Sequence, residues 1–462
     1  MNRIALRASI TLVLAVLLLA GFLFFVVDYS INAEKWITSE GSPHVYNGKV
    51  NINTGVVTDR DDVILLDMRQ ERAYSNVETI RKATVHWVGD RPGNVRAPAL
   101  SEYALDMIGY DTFNGLYSYG ESGGVAKLTL SAHVQTVALE ALGDYQGTVA
   151  VYNYKTGEIL CAVSTPTFDP DNPPEVTPED SFYYNRFAWG EYVPGSIFKI
   201  VTLVAALEEI EDVESRMFQC RGQYEIGKKV IRCDEGIAHG TQNLKTAFRN
   251  SCNCAFAELA IQLGGETLQK YVEKFGLVSE MSVDGVTISA GNFTVEPEDP
   301  NIPGNDYEVA WGGIGQYKDL IVPCSFMTFM GAIANGGVPS YPHVVMEVGC
   351  DGDISYSAEP RFGERIMSEE TALLVQEYLE NNVQSKYDRE STYFPSLTVG
   401  AKTGTAEKDG AVSNAMLAGI VADEKYPLAF VVAVESGGYG RSACIPIASE
   451  VLTACKAILD QS

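Results

Sequence analysis

From Ala8 to Val27 the chain carries no charged residue and is built mainly of leucine, valine, alanine and phenylalanine. About 20 apolar residues are what a helix needs to cross the hydrocarbon of a bilayer, so the pattern predicts a membrane helix over 8–27. Arg3 and Arg7 precede the run, whereas Asp28 and Glu34 follow it. That bias predicts an amino terminus, residues 1–7, held in the cytoplasm, with everything after the span outside. The run ends in Phe22-Leu23-Phe24-Phe25-Val26-Val27 with no small-residue cleavage site. An uncleaved anchor fits better than a signal peptide, and no second apolar run of that length follows.

Beyond the anchor the grain is polar and turn-rich through residue 125, with short β-like runs such as Val63-Ile64-Leu65-Leu66 and glycine breaks at Gly109, Gly115, Gly120, Gly123 and Gly124. Residues 28–125 read as a small extended pedestal. Residues 126–462 read as one body. Leu128-Thr129-Leu130-Ser131 followed by residues 132–142 predicts a strand end, a serine cap and an amphipathic helix. Thr148–Tyr152 and Ile159–Val163 predict a hairpin, with Lys155-Thr156-Gly157 in its turn. The middle, roughly 208–336, is helical, as at Cys254–Ile261 and Ile321–Met327. Strand-like runs return at Ala415–Val421 and Leu428–Val434, before a closing helix near Ala443–Leu459. Strands at both ends around a helical middle imply one sheet completed by distant segments.

Composition narrows the partners. A net charge of -26 excludes nucleic acid as a natural ligand and describes a soluble, self-repelling surface. Nine cysteines are an odd number. Cys220 and Cys233 bracket a short polar loop, where a disulfide and a buried thiol pair are equally compatible with the spacing. His239 lies near Cys233 without paired C-x-x-C spacing, which argues against zinc, so no metal or cofactor is expected.

The chemistry concentrates in Ser196-Ile197-Phe198-Lys199, set after Val193-Pro194-Gly195 and followed by the apolar run Ile200–Leu207. Residues three apart share a helix face, so the lysine amine is carried to the serine hydroxyl by local geometry alone. Ser196 can attack a carbonyl if Lys199, partly neutral, takes its proton. No other lysine has a serine three residues before it. Two later pieces join it, Ser251-Cys252-Asn253 and Lys402-Thr403-Gly404-Thr405. Ser251 can relay a proton, because a hydroxyl both donates and accepts. Asn253 can offer both amide groups to a substrate peptide bond. Lys402 reads as the charged lysine that attracts a substrate carboxylate, joined by the Thr403 and Thr405 hydroxyls. The segment reads as a strand, with Gly404 clearing space for a ligand backbone. Two decoys are out of order: Lys155-Thr156-Gly157, and Ser30-Ile31-Asn32 beside the membrane run.

The order S-x-x-K, S-x-N, K-T-G resembles the penicillin-recognising serine acyltransferases. The chain is most similar to class B penicillin-binding proteins, through Thr156–Leu160, Thr165–Pro170, Tyr192–Ser196, Asn250–Asn253 and Ala334–Gly337. The pedestal matches only around Arg72-Ala73-Tyr74 and Arg81-Lys82-Ala83-Thr84. Gly315-Gln316-Tyr317 stands where a second glycine is usual, and Met416-Leu417 where an aromatic residue is common.

The resemblance implies an α+β fold: a β-lactamase/transpeptidase-like domain with an antiparallel sheet packed between helices and a helical subdomain, plus the pedestal and one transmembrane helix. It implies an oxyanion hole from the backbone N–H groups of Ser196 and Thr405. It further implies DD-transpeptidation of peptidoglycan stem peptides on lipid-linked nascent strands, acylation by β-lactams, and a polytopic glycan polymerase as membrane partner. Resolution of the ester by water would instead make a carboxypeptidase or β-lactamase. A muropeptide-binding scaffold without turnover is a further alternative. Elongation, division and sporulation are not distinguished by these residues.

Overall fold

The computed structural model describes residues 2–37, 55–69, 72–95, 97–108, 110–111, 115–116, 123–175, 181–294, 306–316, 318–350, 353–408 and 411–461. The apolar block lies inside one continuous helix, α1 (Asn2–Ile37), whose most apolar 18-residue stretch has mean hydropathy 3.1 and is not buried against the rest of the chain. A helix with nothing packed on its leucines is stable only in an apolar surrounding, so length and composition both suit a bilayer.

The N-terminal region then runs through β1 (Val56–Thr58), β2 (Ile64–Asp67), β3 (Ala73–Tyr74) and α2 (Glu78–Val88). The body opens with β4 (Val125–Leu128), α3 (Ala132–Leu142), β5 (Gly147–Asn153) and β6 (Ile159–Thr165). Its middle contains α4 (Lys199–Glu209), β7 (Met217–Cys220), β8 (Gly240–Asn243), α5 (Leu244–Asn250), α6 (Asn253–Leu263) and α7 (Pro323–Ala334). It closes with β9 (Val345–Cys350), β10 (Asp353–Ser357), α8 (Glu369–Asn382), β11 (Val399–Lys408), β12 (Ala411–Val421), β13 (Leu428–Val434) and α9 (Gly440–Leu459).

The expected sheet forms in the order β11-β12-β13-β5-β6, antiparallel throughout. Its two ends of chain meet where β13 pairs with β5, Phe430 opposite Val151. All seven residues of β13 are buried, as a strand covered on both faces requires. Helices α3 and α9 pack on one face, with Val134, Leu142, Val451 and Leu452 in the layer between. On the other face α7 lies so close that a Cβ at Gly331 would fall 1.7 Å from the Tyr152 hydroxyl. α9 has the length and hydropathy of a membrane span, but half of it is buried in the body. It is a core helix. Ser131 caps α3 by accepting from Val134 N, and the Lys155–Gly157 decoy sits at the β5–β6 turn, with Gly157 at φ +88°.

The pedestal departs from its expectation. Its strands are not separate from the body: β1 pairs parallel with β4, and β4 pairs with β9, giving a six-stranded sheet β10-β9-β4-β1-β2-β3. α2, unforeseen, docks on the body through Trp87, whose indole donates to Ala162 O at 2.7 Å. Arg81 adds two bonds to the Asp169 carboxylate at 2.7 and 2.6 Å. Of the expected glycine breaks, Gly109 and Gly120 lie outside the described residues, as does Tyr317.

Candidate functional site

Pro194 and Gly195 turn the chain into a single 3-10 turn, Gly195–Ile197, which runs directly into α4. Gly195 has φ +56°, and a side chain there would fall 2.6 Å from Thr405 O, so the turn is pressed against β11. Ser196 rides on this turn and Lys199 opens the helix, with Nζ 3.0 Å from Ser196 Oγ. The apolar run after it buries Ile200 through Ala206 completely and fixes the pair.

Ser251 ends α5 in the left-handed conformation, φ 55°, with its N–H returned to Phe248 O. That bend lets α6 begin two residues later and aims Ser251 at both lysines. Ser251 Oγ accepts from Lys199 Nζ and from Lys402 Nζ, each at 3.1 Å. Lys402 comes from the middle of β11, opposite Ala418. Thus Ser196, Lys199, Ser251 and Lys402, read from three separate segments, form one hydrogen-bonded chain. Ser196 and Ser251 line a cleft of about 560 Å³ together with Asn253, Thr403 and Thr405, and the two lysines lie buried beneath it.

Both lysines are 0% exposed. Burial pushes the Lys199 ammonium down to about 8 from an ordinary 10.5. Lys402 is driven well below 10.5, first by burial and then by the charge of Lys199. The sequence kept Lys402 charged beside a neutral Lys199. The geometry instead gives Lys199 two acceptor-only partners, Ser251 O at 3.0 Å and Asn253 Oδ1 at 2.5 Å, which favour its protonated form at rest. Two buried ammoniums bridged by one hydroxyl are costly together, so each disfavours the charged form of the other.

Three expectations change in detail. Asn253 borders the cleft, but both ends of its amide are already engaged: its oxygen accepts from Lys199, and its nitrogen donates to Arg232 O at 2.7 Å. Gly404 is required by packing, since a Cβ there would meet Pro194 O at 2.5 Å and Ile197 Cγ2 at 3.2 Å. The Thr403 hydroxyl is held at 3.1 Å from Tyr387 Oη, a buried phenol that belongs to none of the motifs. Thr405 and Gly404 do lie against the Ser196 turn. Gln316, at the position of the missing glycine, donates to Thr405 O at 3.4 Å and covers that strand carbonyl. At the cleft's far end stand Lys386 and Arg441, with Lys386 pushed down by burial first and by Arg441 and Arg249 next.

Beneath the Ser251 wall the structure gathers what spacing did not. Cys220 and Cys233 are buried thiols with sulfurs 3.6 Å apart, and Cys252 lies 3.8 Å from Cys233. His239 Nδ1 is 3.4 Å from Cys220 Sγ. The spacing argument against a metal fails here, because the ligand-type groups come from β7, a hairpin end, a loop and the start of α6.

Residues 147–453 match the family model of the penicillin binding protein transpeptidase domain. The chain belongs to this family. Stage V sporulation protein D of Bacillus subtilis is 33% identical over 306 residues, covering 63% of this chain and 46% of that protein. Peptidoglycan D,D-transpeptidase PbpA of Mycobacterium tuberculosis is 26% identical over 314 residues, covering 62% of this chain and 61% of that protein. The chain thus spans about half of these curated relatives, 46% and 61%. Penicillin-binding protein A of M. tuberculosis, solved as its penicillin G acyl-enzyme, superposes with TM-score 0.73 at 23% identity, over 87% of this chain and 99% of that one. A chain of a peptidoglycan synthase complex, solved for coordination of polymerization and crosslinking, gives TM-score 0.64 at 25% identity, over 74% of this chain and 65% of that one.

Proposed function

We propose that this penicillin-binding protein is a membrane-anchored peptidoglycan DD-transpeptidase. The observation that carries the reading is the continuous contact Ser196–Lys199–Ser251–Lys402 at 3.0–3.1 Å in an open cleft. Lys199 loses a proton toward the Ser251–Lys402 side and, neutral, accepts the Ser196 proton as Oγ bonds to the penultimate D-Ala carbonyl. The developing oxyanion is met by the N–H groups of Ser196 and Thr405, on backbones that touch at Gly195. The leaving D-Ala amine takes its proton through Ser251. An amine of a neighbouring stem peptide then attacks the ester, its proton returns through the same chain, and Ser196 is freed. Thr403 and Thr405, with the positive charge of the lysine pair, receive the substrate carboxylate. Substrate binding displaces the Asn253–Lys199 bond, which makes the amide oxygen available to the substrate only after docking.

The domain reading is 1–7 inside, 8–27 within α1 as the anchor, 28–125 as the pedestal and 126–462 as the transpeptidase body. Arg3 and Arg7 support the inward amino terminus. A polytopic glycan polymerase as partner is supported by the likeness to a synthase-complex chain. Fluorescent penicillin should label the native protein, and Ser196→Ala should abolish the label; an unlabelled native protein would overturn acylation altogether. With a pentapeptide substrate, D-Ala release with dimers marks the transpeptidase, whereas monomeric tetrapeptide alone would mark a carboxypeptidase.

A further inference from the structure

We infer, on the transpeptidase reading, that Lys386 and Arg441 form a subsite for the carboxylate of the acceptor, the peptide whose amine resolves the Ser196 ester. Two hollows meet at these residues. The cleft over Ser196, about 560 Å³, and a second hollow of about 600 Å³ share Lys386, Tyr387 and Arg441 in their walls. The second is bounded further on by Thr392 and Tyr393, and its volume suits a short peptide.

The fold brings both cations to this junction. Asn382, the last residue of α8, donates to Ala401 O at 3.1 Å and pins the helix end on β11. One wide π-helical turn follows, Val383–Tyr387, a form that recurs at functional sites. From it the Tyr387 hydroxyl meets Thr403 Oγ1 at 3.1 Å, and Lys386 Nζ donates to Arg249 O at 3.1 Å. On the other side Gly440 N donates to Thr405 Oγ1 at 3.5 Å, and Arg441 is the next residue, exposed in the first turn of α9. Each of these threonine hydroxyls is thus held by the chain neighbour of one cation.

Charge gives the junction its chemistry. Among the described residues neither Lys386 nor Arg441 forms an ion pair, and the ammonium has spent one of its three donors. Burial first, and then the charges of Arg441 and Arg249, push Lys386 below its ordinary 10.5. Arg441 also stands at the positive end of α9, in a first turn with no acidic residue. The acids facing the pair do not neutralise it. Asp388 accepts from the backbone N–H groups of Thr392, Tyr393 and Phe394, while Asp234 and Glu235 on the cleft wall and Glu390 in the second hollow pair with neither cation. Crowded cations in a chain of net charge -26 are an arrangement that a bound anion relieves. A guanidinium receives a carboxylate through two parallel N–H bonds.

The reaction puts the acceptor on this side. Aminolysis forms a C–N bond, breaks the bond from the acyl carbon to Ser196 Oγ, and returns one amine proton to that oxygen. The attacking nitrogen stands where the D-Ala nitrogen left. An acceptor amine with an adjacent carboxylate, such as the leaving D-Ala carries, therefore sets that group beside Thr403 and Thr405, between the two cations. Lys402 is not its contact, being 0% exposed with Nζ held by Ser251 Oγ and Thr403 O. The rest of the acceptor runs into the second hollow.

The test acylates the full chain in detergent with a pentapeptide donor and offers isotopically labelled D-Ala or D-alaninamide, matched in free amine. Mass spectrometry compares labelled pentapeptide, or its amide, with tetrapeptide, so capture is read per acyl-enzyme whatever its rate of formation. Arg441→Glu should lower the ratio of D-Ala to D-alaninamide capture at least about fivefold, whereas Arg441→Lys should stay within about threefold of the parent. Lys386→Gln should lower the ratio as well. Lys270→Ala, an exposed lysine outside both hollows, should capture as the parent does. A fall of less than about fivefold in Arg441→Glu, or a parent that captures both amines equally, would overturn the subsite while leaving the transpeptidase standing. Tetrapeptide as the sole product with either amine would overturn both, so the two failures are told apart.

Discussion

Raising the pH should accelerate acylation of Ser196 by a β-lactam, because the base must be neutral and burial has brought Lys199 within reach of neutrality. At an ordinary pKa of 10.5 only about 0.03% of lysine is neutral at pH 7. Lowered to about 8, the group is about 9% neutral at pH 7 and about 91% at pH 9. The lowered pKa, due first to desolvation, thus supplies about a 300-fold larger base population at pH 7, worth about 3.4 kcal/mol at 1.36 kcal/mol per pH unit. The sign is fixed: a depressed lysine works above its folded pKa and is silenced by protonation below it. Second-order acylation rates with fluorescent penicillin, corrected for β-lactam hydrolysis in a protein-free blank, should rise about tenfold from pH 7 to 9 and then level. The midpoint is a property of the Lys199–Lys402 pair, and Lys402→Ala should shift it upward by removing a neighbouring cation site. A rate that is flat or falling between pH 6.5 and 9 would refute a neutral lysine base.

Gly404→Ala should displace β11 from the Ser196 turn, lower stability by about 1–3 kcal/mol in urea unfolding, and slow acylation at least about tenfold. A variant as fast as the parent would mean that the Pro194 contact at 2.5 Å relaxes freely. Gly331→Ala drives a methyl into the Tyr152 ring, whose nearest atoms lie 1.7 and 2.6 Å away, and should cost about 1–3 kcal/mol in thermal unfolding. Removing the hydroxyl as well, in Gly331→Ala/Tyr152→Phe, should restore part of that loss. Arg81→Ala leaves the Asp169 carboxylate without its bidentate partner and should lower the melting temperature of the full chain. Arg81 holds Asp169 below its ordinary 3.8, so this link acts above pH 3.8 and is lost as the pH falls below it. The parent–variant gap should shrink under acid.

Legibility followed the range of the interaction. Residues 132–142 were readable because Ser131, the apolar period and Gly143 all mark the same helix. Ser196 and Lys199 were readable because one helical turn joins them without help from the fold. Val149–Tyr152 and Leu428–Val434 were readable as strands, and their pairing followed from a sheet needing distant partners. The six-stranded sheet was not, because β1 has only 3 residues and reaches its parallel partner β4 across 69 positions of chain, from Val56 to Val125. Tyr387 at Thr403 and the four-part thiol and imidazole cluster depend on long-range closure, for which spacing gives no signal. Gly404 was legible as a place where a side chain is forbidden, but the reason, Pro194 O, belongs to tertiary contact.

The strand β1 is also the first described element after the anchor, and it sits between β4 and β2 instead of at a rim. A pull applied to the chain ahead of β1 and directed along the strand is met there by two ladders loaded side by side, in shear. A rim strand would open like a zipper, one bond after another; here many bonds must fail at once. A load directed along the strand is thus shared by both neighbours of β1.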